Sequence, residues 1–329
     1  MLTVKILTGC VGLVAVLLIG LWLLYGPYGV PKIEETSLPL SSDNHFYTRH
    51  KSISSDNAGK RPRLPKALII GFSKCGTLAL RTFLTIHPDI VCPIYEINYF
   101  NENYHKGIEW YRNQMPSSTA KQITIEKTPG YLRSLEYLRR IRAFDSEIKL
   151  LVIVRDPIVR LQSQYAHELS KLPDGFERPG FESWCNEEHG NGDRILHFTN
   201  YAYKLGLVYS VFSKPQVLVL SEEDMEKNPL PVMREVETFL GLRRGFTDDM
   251  FVYSPKRGFY CLNVKHQLFP SIAQKVKANR QNGCLYYKTK GREHPVIDKS
   301  FRRTLQTLIR PYNELFFNLT GKRFKWENF

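Results

Sequence analysis

The segment KALIIGFSKCGTLALRTFL, residues 66–84, constrains the fold more than any other part of the chain. It begins with a short apolar run that ends at a glycine, and it continues with apolar residues at helical spacing until Pro88. This pattern predicts a buried strand, a tight loop and a helix in direct succession. Gly71 and Gly76 let the loop fold closely around a ligand, and the amides at the start of the helix attract an anion. The alternative is a junction that binds nothing.

The lysine of this loop comes earlier than in the usual nucleotide-triphosphate loop. That pattern, G-x-x-x-x-G-K-[ST], puts the lysine after the second glycine and beside the hydroxyl that holds magnesium. Here Lys74 precedes Gly76, and Thr77 follows it. The loop therefore offers an anion a point charge from Lys74 and a hydroxyl from Thr77, and it leaves open whether a metal takes part.

A second junction of the same kind follows in KLLVIVRDPIVRLQSQY. The apolar run predicts a buried strand. After it, Asp156 is predicted to be a helix N-cap and Pro157 the first helical residue. Arg155 at the strand end and Ser163 in the helix would then face another phosphate. The alternative is that Arg-Asp-Pro only caps the helix and forms a surface ion pair. Two such junctions favour one ligand site, because open α/β sheets bind ligands at the carboxyl ends of their strands.

The apolar runs also predict the fold class. ALII, LLVIV and VLVL are nearly continuous, which is typical of parallel strands that are covered on both faces. We therefore predict an α/β fold with a parallel sheet and helices on both faces. Residues 65–329 are predicted to form one domain, because neither a repeat nor a later change of composition divides them.

The N-terminal part is predicted to anchor this domain in a membrane. Residues 6–26 are apolar and uncharged, and about 20 such residues can cross a bilayer as a helix. A cleaved signal peptide is the alternative, but it has a shorter apolar core and a small-residue cleavage pattern. The charge before the run favours a cytosolic tail of residues 1–5 and a luminal or extracellular remainder, a type II arrangement. Residues 27–64, polar and without an apolar period, are predicted to be a stem.

The net charge of +14 predicts an acidic partner. Nucleic acid, an anionic membrane face and a polyanionic glycan would all fit this charge. The sequence contains no recognisable nucleic-acid-binding module, and the anchor would separate the domain from that compartment. Nucleic acid is therefore excluded as the partner.

Two of the six cysteines flank a lysine-rich polar segment. A disulfide between Cys261 and Cys284 would close it, as an oxidising compartment permits. Zinc binding is the competing interpretation, but no C-x-x-C pair or nearby histidine pattern supports it, so no metal is predicted. Asn318 begins an N-L-T sequon and can accept a glycan in such a compartment.

Three further segments supply candidate site residues. PIYEINYF carries Glu96 among aromatic side chains, which suit a sugar-binding wall or an ordinary core. ITIEKTPGYL is an alternating strand that leads the stretch Glu126–Pro129 into a turn. YKTKGREHPVID places basic residues around Gly291. By itself this last segment is a solvated charge run, but beside two anion junctions it can form a third wall of one pocket.

Together these segments resemble the sulfotransferases that use 3′-phosphoadenosine 5′-phosphosulfate (PAPS), and among them the heparan sulfate glucosamine 3-O-sulfotransferases. The resemblance covers residues 65–326 and rests on the ordered segments PKALIIGFSKCGT, GIEWYRNQMP, ITIEKTPGYL, LLVIVRDP, RGFYCL, GCLYYKTKGREHP and PYNELFF. It implies the sulfotransferase fold, PAPS as the sulfuryl donor without a metal, and the 3-hydroxyl of glucosamine in a heparan sulfate chain as acceptor. It also implies a Golgi membrane protein with a luminal catalytic domain.

The resemblance assigns a role to each candidate residue. The donor's 5′ end would be held by Lys74, Cys75, Gly76, Thr77 and Leu78, and its 3′-phosphate by Arg155 and Ser163. The donor-binding loop after the Cys261–Cys284 disulfide would be Lys290, Gly291, Arg292, Glu293 and His294. Glu96 would be the general base, and Lys74 and Lys127 would stabilise the transferred group. The acceptor would be contacted by Glu96, Asn98, Asn101, Lys127, Thr128, Pro129 and Gly130.

Three positions depart from the family pattern. The family usually has a histidine and an aspartate where this chain has Asn98 and Asn101, and an arginine where it has Leu78. Locally these places are closer to the N-sulfotransferase domain of N-deacetylase/N-sulfotransferases. Two other functions therefore stay open, a PAPS-dependent sulfotransferase for another position or glycan and a non-catalytic glycan-binding homologue. Retention of a carboxylate at Glu96 argues against the second, because polyanion binding does not need one.

Overall fold

A five-stranded parallel sheet organises the part of the chain that the structure describes. The structure is a computed structural model and describes residues 59–173, 175–189, 192–276, 278–286 and 292–326. Its strands are β1 (Arg61–Pro62), β2 (Ala67–Gly71), β3 (Ile90–Val91), β4 (Ser117–Ser118), β5 (Ile123–Lys127), β6 (Lys149–Val154), β7 (Glu188–His189), β8 (Gly192–Asp193), β9 (Val217–Ser221), β10 (Phe251–Ser254) and β11 (Phe259–Leu262).

Helices connect and cover these strands. They are α1 (Thr77–Leu84), α2 (Gly107–Asn113), α3 (Leu135–Phe144), α4 (Pro157–Leu169), α5 (Phe181–Asn186), α6 (Arg194–Thr199), α7 (Tyr201–Tyr209), α8 (Glu222–Lys227), α9 (Pro229–Leu240), α10 (Phe269–Ile272) and α11 (Lys299–Thr320). The short 3-10 turns are Tyr104–Lys106, Pro129–Arg133, Lys214–Gln216 and Asp248–Met250.

The main sheet has the strand order β3-β5-β2-β6-β9, and every neighbouring pair is parallel. Its central strands are buried throughout, with Ala67–Ile70 and Leu150–Val154 fully inaccessible to solvent. Burial on both faces is the reason that these strands are continuously apolar. The predicted α/β fold with a parallel sheet and flanking helices is confirmed. Three antiparallel pairs, β1 with β4, β7 with β8 and β10 with β11, lie outside this sheet.

A second apolar cluster lies apart from the core of the sheet. It packs α4 against α5, α6 and α11 through Leu161, Trp184, Phe198, Leu305 and Ile309. Because α4 begins directly after β6, this cluster fixes the helix that carries Ser163 relative to the carboxyl end of the sheet.

The predicted disulfide between Cys261 and Cys284 is present. It joins β11 to a turn at Gly283, whose φ of +69° lies in the left-handed region. A side chain there would put its Cβ 1.8 Å from the carbonyl oxygen of Leu262, so only glycine fits. The disulfide closes the segment that contains α10.

The predicted anchor at residues 6–26, and the stem up to residue 58, lie outside the described residues. Within the described ranges, no helix combines the length and the apolar character needed to cross a membrane. The described part begins at Gly59, and Arg61–Pro62 already pairs with Ser117–Ser118.

Candidate functional site

Three adjacent strands of the main sheet bring the candidate residues to one edge. In the register between β5 and β2, Lys127 lies opposite Ile69, and Gly71 of β2 lies opposite Val152 of β6. All three strands run in the same direction, so their carboxyl ends lead into neighbouring loops. These ends carry Lys127, the loop of residues 72–76 and Arg155. We call residues 72–76 the anion loop.

The anion loop leaves the start of α1 open to a ligand. Gly76 adopts a left-handed conformation with a φ of +79°, and in the described residues no side chain caps the first amides of α1. A Cβ at this position would lie 2.8 Å from Oε1 of Glu222, so the turn also requires a residue without a side chain. Unpaired amides at a helix start bind anions readily. The predicted strand, loop and helix are confirmed.

Lys74 lies in a strongly cationic environment. Burial, followed by the charges of Arg292, Lys171 and Arg155 in that order, lowers the pKa of its ammonium group from 10.5 to about 8. Like charges disfavour one another unless an anion lies between them. The cluster therefore has the charge needed to hold a phosphosulfate.

Arg155 makes an ion pair that the sequence did not reveal. Its Nε atom lies 3.0 Å from Oε2 of Glu222, a buried carboxylate at the start of α8. The hydroxyl of Tyr201 also donates to the carbonyl oxygen of Arg155, at 2.8 Å. An arginine has five N–H donors, so one edge can bind Glu222 while other donors bind a phosphate.

The second junction has the predicted local structure. Pro157 is the first residue of α4, and the Asp156 carboxylate accepts from the amides of Ile158 at 2.7 Å and Val159 at 3.3 Å. Burial raises the pKa of Asp156, against the effect of these two backbone bonds. Ser163 lies half-buried on α4, about two turns after this cap.

His167 is a candidate site residue that the sequence analysis missed. It follows Ser163 by four residues and so lies on the same face of α4. Burial, followed by the charges of Lys74, Lys171 and Arg292, lowers the pKa of its imidazole from 6.5 to about 4. The imidazole is therefore neutral near pH 7. Its spacing of four from Ser163 was the signal that could have identified it.

The predicted donor loop at residues 290–294 is described only in part. Lys290 and Gly291 lie outside the described residues, whereas Arg292, Glu293 and His294 lie within them. Arg292 contributes to the low pKa of Lys74, and burial together with Arg155 and Lys74 lowers the pKa of His294. The structure thus brings both residues close to the anion loop.

Glu96 and Lys127 form an ion pair at the end of β5. Lys127 Nζ contacts Glu96 Oε1, and the side chains are 8% and 44% exposed respectively. Burial lowers the pKa of Lys127, whereas the neighbouring Glu96 carboxylate raises it. The result is an accessible carboxylate held against a buried ammonium group, beside the anion loop.

Among the other predicted acceptor contacts, Thr128 and Pro129 are buried and Gly130 is half-buried. The backbone of Asn98 is left-handed, with a φ of +53°. Asn101 Nδ2 donates to Asn98 Oδ1 at 3.2 Å, so these two amides contact each other. They stand where the family pattern has histidine and aspartate.

The family has an arginine at the position of Leu78, and the nearby Arg81 does not take its place. Leu78 packs against the core, and Arg81 on the next turn of α1 is fully buried. Arg81 Nη1 donates to the carbonyl oxygens of Pro93 at 2.8 Å and Lys275 at 3.3 Å. It therefore ties α1 to the segment before Glu96 and to the segment after α10.

Cys75 contributes packing rather than charge to the anion loop. Burial raises the pKa of its thiol to about 12, and its sulfur lies 3.4 Å from the hydroxyl of Tyr201. Across the described ranges, no group of three or more His, Cys, Asp and Glu side chains could hold a metal ion. Among the described residues, positive charge around the anion loop comes from Lys74, Arg155, Arg292 and Lys171.

Comparisons with known proteins agree with this geometry. Residues 64–287 match the sulfotransferase domain family. The chain is 38% identical over 305 residues to mouse heparan sulfate glucosamine 3-O-sulfotransferase 3B1, covering 90% of this chain and 70% of that protein. It is 36% identical over 271 residues to human heparan sulfate glucosamine 3-O-sulfotransferase 6, covering 81% and 75%.

Among solved structures, the fold is similar to that of a sulfotransferase from Alicyclobacillus acidocaldarius. The TM-score is 0.59 with 19% sequence identity, over 81% of this chain and all of the other. Identity at this level supports the fold alone, whereas the family match and the two relatives confirm the resemblance inferred from the sequence. The chain belongs to the sulfotransferase domain family and, within it, to the heparan sulfate glucosamine 3-O-sulfotransferases.

Proposed function

We propose that this protein transfers a sulfuryl group from PAPS to the 3-hydroxyl of glucosamine residues in heparan sulfate. The observation that carries the proposal is the placement of Glu96, an accessible carboxylate, one strand away from the cationic anion loop. A site for polyanion binding alone gains nothing from a carboxylate in its cleft. The names of the two relatives support the acceptor and its 3-hydroxyl.

Donor binding is assigned to the anion loop and its neighbours. The open amides of α1, Lys74 and Thr77 would hold the 5′ end, and Arg155 with Ser163 the 3′-phosphate. When bound, PAPS supplies an activated sulfuryl group with adenosine 3′,5′-bisphosphate as the leaving group. The cationic cluster around Lys74 fits this ligand, because its mutual repulsion is relieved when the ligand's negative charges enter.

Glu96 is the proposed general base. The oxygen of the acceptor hydroxyl attacks sulfur, its proton passes to the Glu96 carboxylate, and the bond from sulfur to the bridging oxygen of the donor breaks. Lys74 would stabilise the negative charge that grows on that bridging oxygen. Lys127 holds the Glu96 carboxylate in the free protein and would also contact the moving sulfuryl group.

A second candidate function is sulfation of another position or another glycan with the same donor. Asn98, Asn101 and Leu78 favour it, because the family's side chains at these three positions serve the acceptor, whereas Lys74, Thr77, Arg155 and Ser163 on the donor side are retained. Neutral amides at Asn98 and Asn101 would hydrogen-bond sugar hydroxyls without the charge of the family's residues. Acceptor preference is where we expect this chain to differ from its relatives.

The proposed location is the Golgi membrane, with residues 6–26 as a type II anchor and the catalytic domain in the lumen. The Cys261–Cys284 disulfide supports an oxidising compartment. The proposed glycan acceptor, Asn318, is exposed on α11. An asparagine must be exposed in order to carry a glycan.

The proposal is tested by mapping the product. The catalytic domain is incubated with sulfur-labelled PAPS and heparan sulfate, the chain is digested to disaccharides, and the labelled hydroxyl is identified. Label on the glucosamine 3-hydroxyl is the expected result. Label elsewhere would support the second candidate, and binding of heparan sulfate without any transfer would overturn both.

A further inference from the structure

The backbone amides that follow Glu96 donate in order to side chains at the end of β5 and in the turn after it. The amide of Ile97 donates to Glu126 Oε1 at 3.4 Å, that of Asn98 to Thr128 Oγ1 at 3.3 Å, and that of Tyr99 to the hydroxyl of Tyr131 at 3.0 Å. We call these three contacts the amide ladder. Three consecutive amides are thus bound by three side chains from the end of β5 and the turn after it.

The acceptors of the amide ladder are also held by one another. The Thr128 hydroxyl donates to Glu126 Oε1 at 2.5 Å, and the Tyr111 hydroxyl donates to Glu126 Oε2 at 3.4 Å. Glu126, Thr128, Tyr131 and Tyr111 are all fully buried. Burial raises the pKa of Glu126, whereas its bonds from Thr128 and Tyr131 lower it. Hydrogen bonds in such a dry network are strong, and a lost partner is costly to replace.

The ion pair between Glu96 and Lys127 lies directly beside this network. Glu96 immediately precedes the first amide of the ladder, and Lys127 stands between two of its acceptors, Glu126 and Thr128. Any shift of the turn therefore moves both members of the pair. The left-handed backbone of Asn98 would be unfavourable for most residues, and the ladder holds it in place.

We propose that Glu126, Thr128 and Tyr131 are positioning residues that hold Glu96 in place for proton transfer. The inference rests on the proposed role of Glu96 as general base. None of the three side chains reaches the surface, so they act through the backbone of residues 97–99 rather than on a ligand. A displacement of about 1 Å at a reacting group can lower a rate by roughly 10²-fold.

Thr128 offers the sharpest test, because its hydroxyl belongs to two contacts and its shape can be kept. Thr128→Val replaces the hydroxyl by a methyl group and leaves the Asn98 amide and one Glu126 oxygen without this partner. Thr128→Ser keeps the hydroxyl and removes only a methyl group, so it is the matched control.

Sulfuryl transfer at saturating acceptor is measured first, together with the affinity for adenosine 3′,5′-bisphosphate. We expect kcat of Thr128→Val to fall by about 10²-fold and that of Thr128→Ser to stay within a few-fold of the original protein. Nucleotide affinity should stay within about twofold in both variants, since Lys74 and Arg155 lie in loops that follow other strands. An unchanged kcat in Thr128→Val, or an equal loss of nucleotide affinity, would overturn the inference.

Amide hydrogen exchange of residues 97–99 gives a readout that does not depend on activity. We expect exchange to be about tenfold faster or more in Thr128→Val and unchanged in Thr128→Ser. Equal exchange in all three proteins would refute the amide ladder even if the activity differed. Absence of transfer by the unmodified protein would instead contradict the proposed function, and the exchange data would still decide whether the ladder holds this loop.

Discussion

Lys74 carries the charge on which donor binding depends most directly. Burial and the cations around it hold its pKa near 8 in the free protein, well below the value of 10.5 for an exposed lysine. Below this pKa the ammonium form dominates and can bind a phosphosulfate. Above it the neutral amine dominates, so binding must be accompanied by uptake of a proton.

We therefore predict that affinity for adenosine 3′,5′-bisphosphate decreases as the pH rises through about 8. The phosphates are fully ionised above about pH 7, so the change originates in the protein. A loss of about tenfold between pH 7 and pH 9.5 corresponds to one charge-assisted hydrogen bond. Titration calorimetry at several pH values measures it.

Lys74→Arg is the matched control, because a guanidinium group stays charged over this range. Its affinity should depend less on pH between 7 and 9.5, whatever its absolute value. If Lys74→Arg and the original protein showed the same pH dependence, the effect would belong to another group and the assignment to Lys74 would be wrong.

Some residues of the site could be predicted from sequence and others could not. Asp156, Pro157, Gly76 and Lys74 act within their own loop or helix turn, where spacing along the chain carries the information. Glu222 and Arg81 act through partners far away in sequence, Arg155 and Lys275 respectively. No local pattern encodes such pairs.

At the scale of elements, a buried pair joins the loop after α1 to the end of α9. His87 Nε2 lies 3.3 Å from Glu237 Oε1, and both side chains are inaccessible. Glu237 Oε1 also accepts from the amides of Gly245 at 2.6 Å and Phe246 at 2.7 Å. This network fixes the segment that leads into β3 and hence into the loop of Glu96.

Burial lowers the pKa of His87, against the opposite effects of the Arg243 carbonyl and Glu237. The unfolded chain therefore binds a proton at this histidine at a higher pH than the folded protein does. We predict that the free energy of unfolding is retained above about pH 6.5 and decreases as the pH falls below it. Urea denaturation at a series of pH values measures this slope.

His87→Gln removes the titrating group and keeps a polar side chain. The variant should be less stable near pH 7, but its stability should fall less steeply between pH 6.5 and 5. Other histidines contribute equally to both proteins, so the difference in slope isolates His87. Parallel curves would show that His87 does not change its protonation on unfolding.

The elements themselves were predicted unevenly. The strands β2, β6 and β9 are apolar runs flanked by turn residues, so they can be predicted from the sequence. The edge strand β3 has only two residues and is held by pairing with β5, so it carries no pattern of its own. The β10–β11 hairpin was not predicted either, because each strand has only four residues and β10 is partly exposed.

At the scale of the whole molecule, the disulfide fixes the segment that contains α10 to the rest of the fold. Cys261 and Cys284 are 23 residues apart. Between them, the carbonyl oxygen of Lys275 accepts a hydrogen bond from Arg81, which also donates to the carbonyl of Pro93 just before Glu96. Closing a loop of this length stabilises a protein by about 2–4 kcal/mol.

Replacing both cysteines by alanine should therefore lower the free energy of unfolding by about 2–4 kcal/mol. Calorimetric or denaturant unfolding measures the change. A thiol reductant is the control, since it should destabilise the original protein and leave the double variant unchanged. Equal stability of the two proteins without reductant would contradict a structural role for this bond.

The proposed role of Glu96 as the base in sulfuryl transfer is tested by one comparison. Transfer from labelled PAPS to heparan sulfate is measured for the original protein, Glu96→Gln and Glu109→Gln, an exposed carboxylate on α2 that serves as the control. We predict that kcat falls by about 10²–10⁴-fold in Glu96→Gln alone, the usual contribution of a general base. Affinity for adenosine 3′,5′-bisphosphate should be retained in all three. A Glu96→Gln variant that transfers the sulfuryl group as fast as the original protein would contradict the account.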